Sequence, residues 1–138
     1  MRYYVDACIW RDFLEAREDN LKPLGEFAFQ FLRYAMTGKH IVLYSDMVLE
    51  ELKSAYSLKE IDKYCFESLK DLKLLETVSI SGRQVEEAKR ISRERSVPRG
   101  DALHALLARD NNAVVVTRDN HFELLKDIVQ SNKPEEII

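Results

Sequence analysis

At 138 residues, 46% hydrophobic and 33% charged, with only four glycines and three prolines, the chain has the composition of one globular domain over residues 1–138 and none of the marks of disorder or low complexity. A net charge of -3 argues against a nonspecific coat for nucleic acid, whose affinity comes from many Lys and Arg contacts to phosphate, and no apolar run approaches the ~20 residues of a membrane helix. Cys8 and Cys65 are isolated thiols without a C-x-x-C pair or a leader, which sets aside a zinc site and points to a reducing, cytoplasmic setting.

Short β-branched or aromatic runs alternate with longer segments of helical period, the pattern of an α/β domain with a mostly parallel sheet. The first strand reads as Arg2–Asp6. A helix over Leu24–Thr37 ends at Gly38 and leads to a strand at His40–Tyr44. Ser45 or Asp46 caps a helix to about Ser54, and a second helix covers Lys59–Leu72. Glu76–Ile80 reads as another strand, and Ser81 opens a helix to Glu94. After the break Val97-Pro98-Arg99-Gly100, a helix over Asp101–Asp110 passes through Asn111-Asn112 into a strand at Ala113–Thr117. Phe122–Val129 reads as the last full helix. Pro134 is expected to bar a helix from the tail and leave Glu135–Ile138 as a short edge strand.

In open parallel sheets, ligands gather beyond the carboxyl ends of the strands, and Asp6 and Asp119 fall there. Asp101 opens a helix that is apolar on most sides. Glu51 lies two turns into its own helix. A wheel at ~100° per residue sets Glu51 roughly 100° from the stripe of Val48, Leu49, Leu52 and Tyr56, and Glu50 roughly 160° away. Glu51 can therefore flank a core-facing cleft and Glu50 cannot. Taken singly, each acid has an ordinary explanation: a strand-end turn for Asp6, a solvated helix face for Glu51, a helix cap for Asp101 and an Asx turn for Asp119. As a set of four oxygen donors they invite a divalent cation. Arg90, Arg93, Arg95 and Arg99 crowd ahead of Asp101, and Arg118 adjoins Asp119. Arg99 and Arg118 are candidates to bind substrate, whereas a solvated helix face is the simpler account of Arg90 and Arg93.

Four blocks carry a resemblance: Tyr4-Val5-Asp6-Ala7-Cys8-Ile9-Trp10, Ser45 followed six positions later by Glu51-Leu52, Asp101-Ala102-Leu103-His104-Ala105, and Thr117-Arg118-Asp119 with Phe122, closed by Pro134-Glu135-Glu136. In this order and spacing they resemble the PIN domain. The resemblance implies a three-layer α/β/α sandwich around a mostly parallel sheet of four or five strands, with an acidic pocket that binds Mg²⁺ or Mn²⁺ and cuts single-stranded or structured RNA. It implies catalytic and metal-binding roles for Asp6, Glu51, Asp101 and Asp119. Thr117 would orient Asp119 or a bound water, and water would attack phosphorus in line without a protein nucleophile. Small single-domain members are commonly VapC-like ribonuclease toxins, so a small antitoxin partner and a homodimer are expected too. The family usually has Ser, Thr or Asn two positions after the first acid, where this chain has Cys8, a weaker hydrogen-bond partner.

The remaining candidates read as mostly structural. His104 lies on a buried helix and is expected as a satisfied core or rim residue, His121 could approach substrate, and His40 begins a strand. Core packing is expected for at least two of Trp10, Phe13 and Leu14. The aromatic run Phe27, Phe29, Phe31, Leu32 and Tyr34 serves either the core or a partner surface. A haloacid-dehalogenase-type phosphohydrolase would need a second Asp where Cys8 stands, and a phosphoacceptor receiver would need an early acidic pair. A non-catalytic RNA-binding or scaffold module, and an RNA-processing nuclease outside any toxin system, are the surviving alternatives.

Overall fold

The computed structural model describes Met1–Ile138. Its centre is a five-stranded, all-parallel sheet of β1 (Arg2–Val5), β2 (Ile41–Tyr44), β3 (Leu75–Thr77), β4 (Val114–Val116) and β5 (Ser131–Asn132), in the order β3-β2-β1-β4-β5. Tyr4 pairs with Leu43 on one side and Val115 on the other. Tyr4, Val5, Leu43, Val115 and Val116 are fully buried, as expected of parallel strands covered on both faces. The order places the first and fourth strands side by side at the point where the winding reverses, so the loops leaving β1 and β4 open a crevice there.

The strands are joined by α1 (Ala7–Glu15), α2 (Leu24–Thr37), α3 (Asp46–Lys53), α4 (Leu58–Ile61), α5 (Glu67–Asp71), α6 (Gly82–Arg95) and α7 (Arg99–Asp110), with α8 (Pro134–Ile137) after the last strand. Helix α1 packs on α2 and α3, and α6 packs on α7. Right-handed crossovers put these two groups on opposite faces of the sheet, which gives the three-layer α/β/α sandwich. Gly25 lets α2 begin against the end of α1: a Cβ there would lie 2.7 Å from Ala16 Cα. No helix is long and apolar enough to cross a membrane.

Several elements differ from their sequence expectation. The segment read as one helix over Lys59–Leu72 starts at Leu58 on a Ser57–Glu60 capping box and carries a π turn at Asp62–Phe66 between α4 and α5. The extra residue in that turn brings Cys65 and Phe66 inward together, and Phe66 meets the rings of Trp10 and Tyr44 at 5.3 and 4.6 Å. β3 ends at Thr77 rather than Ile80.

Phe122–Val129 is not an α-helix. A 3₁₀ helix covers Asn120–Leu125 and turns follow it. Its buried residues Phe122 and Leu125, with the half-buried Ile128 after them, recur every three positions, the period of the tighter helix. The tail is helical and the edge strand lies just before it, at Ser131–Asn132, because Pro134 takes the first helical position, where its missing N–H is no loss. Glu136 Oε1 then accepts the Lys133 N–H at 2.7 Å.

Candidate metal centre

Asp6 follows β1 directly and is the N-cap of α1, where its Oδ1 accepts the Ala7 N–H at 2.8 Å. Asp is among the preferred N-cap residues, so the strand-to-helix turn itself fixes this carboxylate at the switch point. Its Oδ2 accepts from Thr117 Oγ1 at 2.8 Å, and the same hydroxyl accepts the Asp119 N–H at 3.1 Å. Thr117 thus ties the end of β1 to the turn after β4. Asp119 caps the 3₁₀ helix through Oδ1, which takes the His121 N–H at 2.9 Å.

Asp101 does not cap α7. The helix begins at Arg99 behind Pro98, and Asp101 lies in its first turn, where the helix dipole favours an acid. Its side chain is 14% exposed. No hydrogen bond of good geometry reaches its buried Oδ2, although His121 Nδ1 stands 3.0 Å from that atom and 2.9 Å from Asp119 Oδ1. Burial first, and then the negative charge of Asp119 and Asp6, push the Asp101 carboxyl up to about 6. Glu51 faces the same cleft from α3, while Glu50 points to solvent and pairs with Lys53.

The four acids line one open cleft of about 400 Å³ with Cys8, His104 and Arg118. Two groups of potential ligand atoms, Asp6 with Glu51 and His104, and Asp101 with Asp119 and His121, each lie within 4.8 Å of one another. A buried carboxylate oxygen without a hydrogen bond, beside acids that repel it, is the arrangement a divalent cation would relieve. The donors are chiefly hard oxygens, which fit a divalent cation. Cys8 Sγ donates to Asp6 Oδ2 at 3.4 Å, and burial together with the Asp6 charge pushes its thiol up to about 12. It stays protonated and serves as a weak donor.

A model of the PIN domain matches residues 3–128. The chain belongs to the PIN domain family. No curated relative matches it by sequence, but the PIN fold recurs in solved structures. FitAcB from Neisseria gonorrhoeae is 15% identical, with a TM-score of 0.67 over 96% of this chain and 98% of that one. VapBC2 from Rickettsia felis, bound to a promoter DNA fragment, is 19% identical, with a TM-score of 0.63 over 96% and 98%. A toxin–antitoxin complex from Klebsiella pneumoniae is 17% identical, with a TM-score of 0.63 over 96% and 97%. At these identities the likeness is one of fold.

The basic residues of this PIN domain are arranged differently from the patch suggested by sequence. Arg90 pairs with Glu94 and Glu87, Arg95 pairs with Asp127, and Arg99 is exposed next to Gly100, which lines the cleft, without lining it itself. Arg118 does line the cleft, but its guanidinium donates to Asp12 at 3.1 Å and to both oxygens of Glu135 at 2.8 and 2.9 Å. The other arginines lining the cleft are Arg11 and Arg17, neither of them among the sequence candidates. Both bind Glu15, whose carboxyl is held down at about 2 by the Tyr56 hydroxyl and then by Arg17. Arg11 had a signal, since it stands one helical turn beyond Ala7 on the face that follows Asp6. Arg17 had none, because it reaches the cleft from the loop after α1.

Proposed function

We propose that this PIN domain is a divalent-metal-dependent endoribonuclease that hydrolyses RNA phosphodiester bonds and serves as the toxin of a toxin–antitoxin pair. The observation that carries the nuclease reading is the meeting of Asp6, Glu51, Asp101 and Asp119, from four separate segments, in one polar cleft at the switch point of the sheet. Asp6 and Asp119 would hold Mg²⁺ or Mn²⁺ from the strand ends, Asp101 from the first turn of α7 and Glu51 from α3. A cation held there would supply charge neutralisation at phosphoryl oxygens and activation of the attacking water. Thr117 keeps Asp6 and Asp119 in register, and Arg11 and Arg17 bring positive charge to the rim, where a phosphate backbone would lie.

The toxin part of the reading is supported by the solved relatives, one of which is a toxin–antitoxin complex. An apolar groove beside α1, lined by Phe13, Phe29, Leu32, Met36 and Tyr64, is consistent with a protein partner, either a small antitoxin or a second copy in a homodimer. The aromatic run of α2 divides accordingly: Phe31 and Leu32 are buried in the core, while Phe29 and Tyr34 remain exposed.

The direct test is cleavage of a mixed RNA pool by the purified protein with Mn²⁺ or Mg²⁺. Activity should vanish in EDTA and return when the cation is restored; undiminished cleavage in EDTA rejects the reading. A pH dependence follows as well. With its folded value raised to about 6, the Asp101 carboxyl stabilises the metal-free fold below its unfolded value of about 4 and withdraws that stabilisation as pH rises through 6. Binding a cation requires the same proton to leave. Calorimetry should therefore show Mn²⁺ affinity falling about tenfold per pH unit below about pH 6, with proton release in that window. A flat affinity between about pH 7 and about pH 5 counts against Asp101 as a ligand.

A further inference from the structure

Three polar side chains lie in the apolar core beneath the cleft, and they are joined to one another. The Tyr4 phenol oxygen is 2.7 Å from Ser45 Oγ and 2.6 Å from His104 Nδ1. Tyr4 and Ser45 are fully buried and His104 is 2% exposed. The far ring nitrogen, Nε2, stands 3.1 Å from Glu51 Oε1, and the Glu51 side chain is 47% exposed. The chain of contacts thus starts at the end of β2, crosses β1 and α7, and finishes on a carboxylate that projects from α3 into the cleft.

Counting hydrogens gives the chain a direction. A carboxylate can only accept, so Nε2 must carry the hydrogen in its bond to Glu51. In a neutral ring Nδ1 is then bare, and Tyr4 must donate its one hydrogen to it while accepting from Ser45. In a charged ring Nδ1 donates to Tyr4, whose hydrogen then goes to Ser45. Either way an N–H is aimed at Glu51. Both ring nitrogens are committed, which leaves no ring lone pair facing the cleft.

The arrangement costs the fold something elsewhere. Ser45 sits at the N-cap of α3, yet its hydroxyl makes no capping bond, although a serine there typically contributes ~1 kcal/mol of helix stability. The hydroxyl is spent on Tyr4 instead. A phenol oxygen and an imidazole in the core are tolerated only because each is hydrogen-bonded, and apolar side chains of similar shape would fill the same space without that requirement. Glu51, by contrast, is a flexible side chain on a half-exposed helix face. Untethered, it would sample several rotamers and lose that freedom on binding a ligand.

We infer that the Ser45–Tyr4–His104 chain is a positioning device that holds the Glu51 carboxylate in the cleft, with His104 acting through Glu51 and not as a ligand itself. The inference rests on the reading of Glu51 as one of the cation-binding acids. Outer partners of this kind orient the groups that bind the ion, and their loss typically costs 10–100-fold in affinity or activity.

The test uses the full chain, Mn²⁺ as the probe and two substitutions that divide the ring's functions. The side-chain amide in His104→Gln reaches the place of Nε2 and can still donate to Glu51, whereas the shorter amide in His104→Asn reaches only the place of Nδ1. His104→Asn should weaken Mn²⁺ binding and lower RNA cleavage about 10–100-fold, and His104→Gln should stay within a fewfold of wild type. Both variants lose one bond of the same buried network, so their thermal midpoints should be similar and cannot account for the difference. In a Glu51→Gln background, His104→Asn should add no further loss, since the two side chains act as one unit. Should His104→Asn not fold, Tyr4→Phe keeps the core volume, removes the phenol oxygen that fixes the ring and should lower Mn²⁺ affinity a fewfold, as His104→Gln does by losing the same bond.

Wild-type Mn²⁺ affinity and cleavage in His104→Asn and Tyr4→Phe would overturn this inference alone. Nitrogen hyperfine coupling on bound Mn²⁺ that disappears in His104→Gln would also overturn it, by making His104 a ligand. Failure of the wild-type protein to bind Mn²⁺ would overturn the reading of the acids and this inference with it.

Discussion

Asp101→Asn should abolish Mn²⁺ binding and lower RNA cleavage by at least ~10²–10³-fold, while the metal-free protein unfolds at the same temperature as wild type or a higher one. The first half follows from the site. Cation stabilisation of a transition state is worth several kcal/mol, and each ~1.4 kcal/mol is a factor of ten in rate. The second half follows from the electrostatics of the carboxylate. Burial and the charges of Asp119 and Asp6 push Asp101 up to about 6, so near neutral pH the metal-free fold carries a charge that its surroundings oppose. Asn has nearly the same shape, carries no charge, and can donate a hydrogen bond toward Asp119. Strain held for function is a common reason for such a trade between stability and activity. Mn²⁺ calorimetry, cleavage rates and calorimetric unfolding on one preparation would check both halves. A large drop in unfolding temperature would give Asp101 a structural role instead.

The second large effect concerns folding. Arg118→Ala should destabilise the protein by about 3–5 kcal/mol in urea denaturation, near the upper end for a single substitution. The Arg118 side chain is 16% exposed and its partner Asp12 is 4% exposed. Burial raises the Asp12 carboxyl even though Arg118 and Arg17 pull it down. Without Arg118, Asp12 keeps only Arg17, at 3.9 Å, and Glu135 on α8 loses a two-pronged partner. The cost is that of a stranded charge, not of a missing attraction, so adding Asp12→Asn to Arg118→Ala should recover much of the loss. If Arg118→Ala unfolds within about 1 kcal/mol of wild type, the buried pair is not holding α1, the turn after β4 and α8 together.

What could be read from the sequence is what depends on chain-local pattern. The period of α2 and its stop before Gly38, the start of α6 at Ser81 and the apolar strands at Ile41 and Val114 all declare themselves locally. So did the acids, because Asp6 and Asp119 stand where strands end and a wheel separates Glu51 from Glu50. Elements decided by tertiary packing were less legible. The π turn at Asp62–Phe66 answers to Trp10 and Tyr44, which lie far away in sequence. Pro134 reads in the sequence as a barrier and in the fold is a helix start, since the same ring that breaks an interior turn suits a first one. Tyr4 and His104 occupy core-facing positions and read as core; only three-dimensional contact reveals that their polar atoms meet.

The edges of the sheet bear on how copies of this chain can assemble. β3 has three residues and β5 has two, and helices flank both. So little exposed ladder gives another strand almost nothing to pair with, which protects the monomer from edge-to-edge aggregation. A strand from another chain would therefore find little backbone to pair with at either end of the sheet.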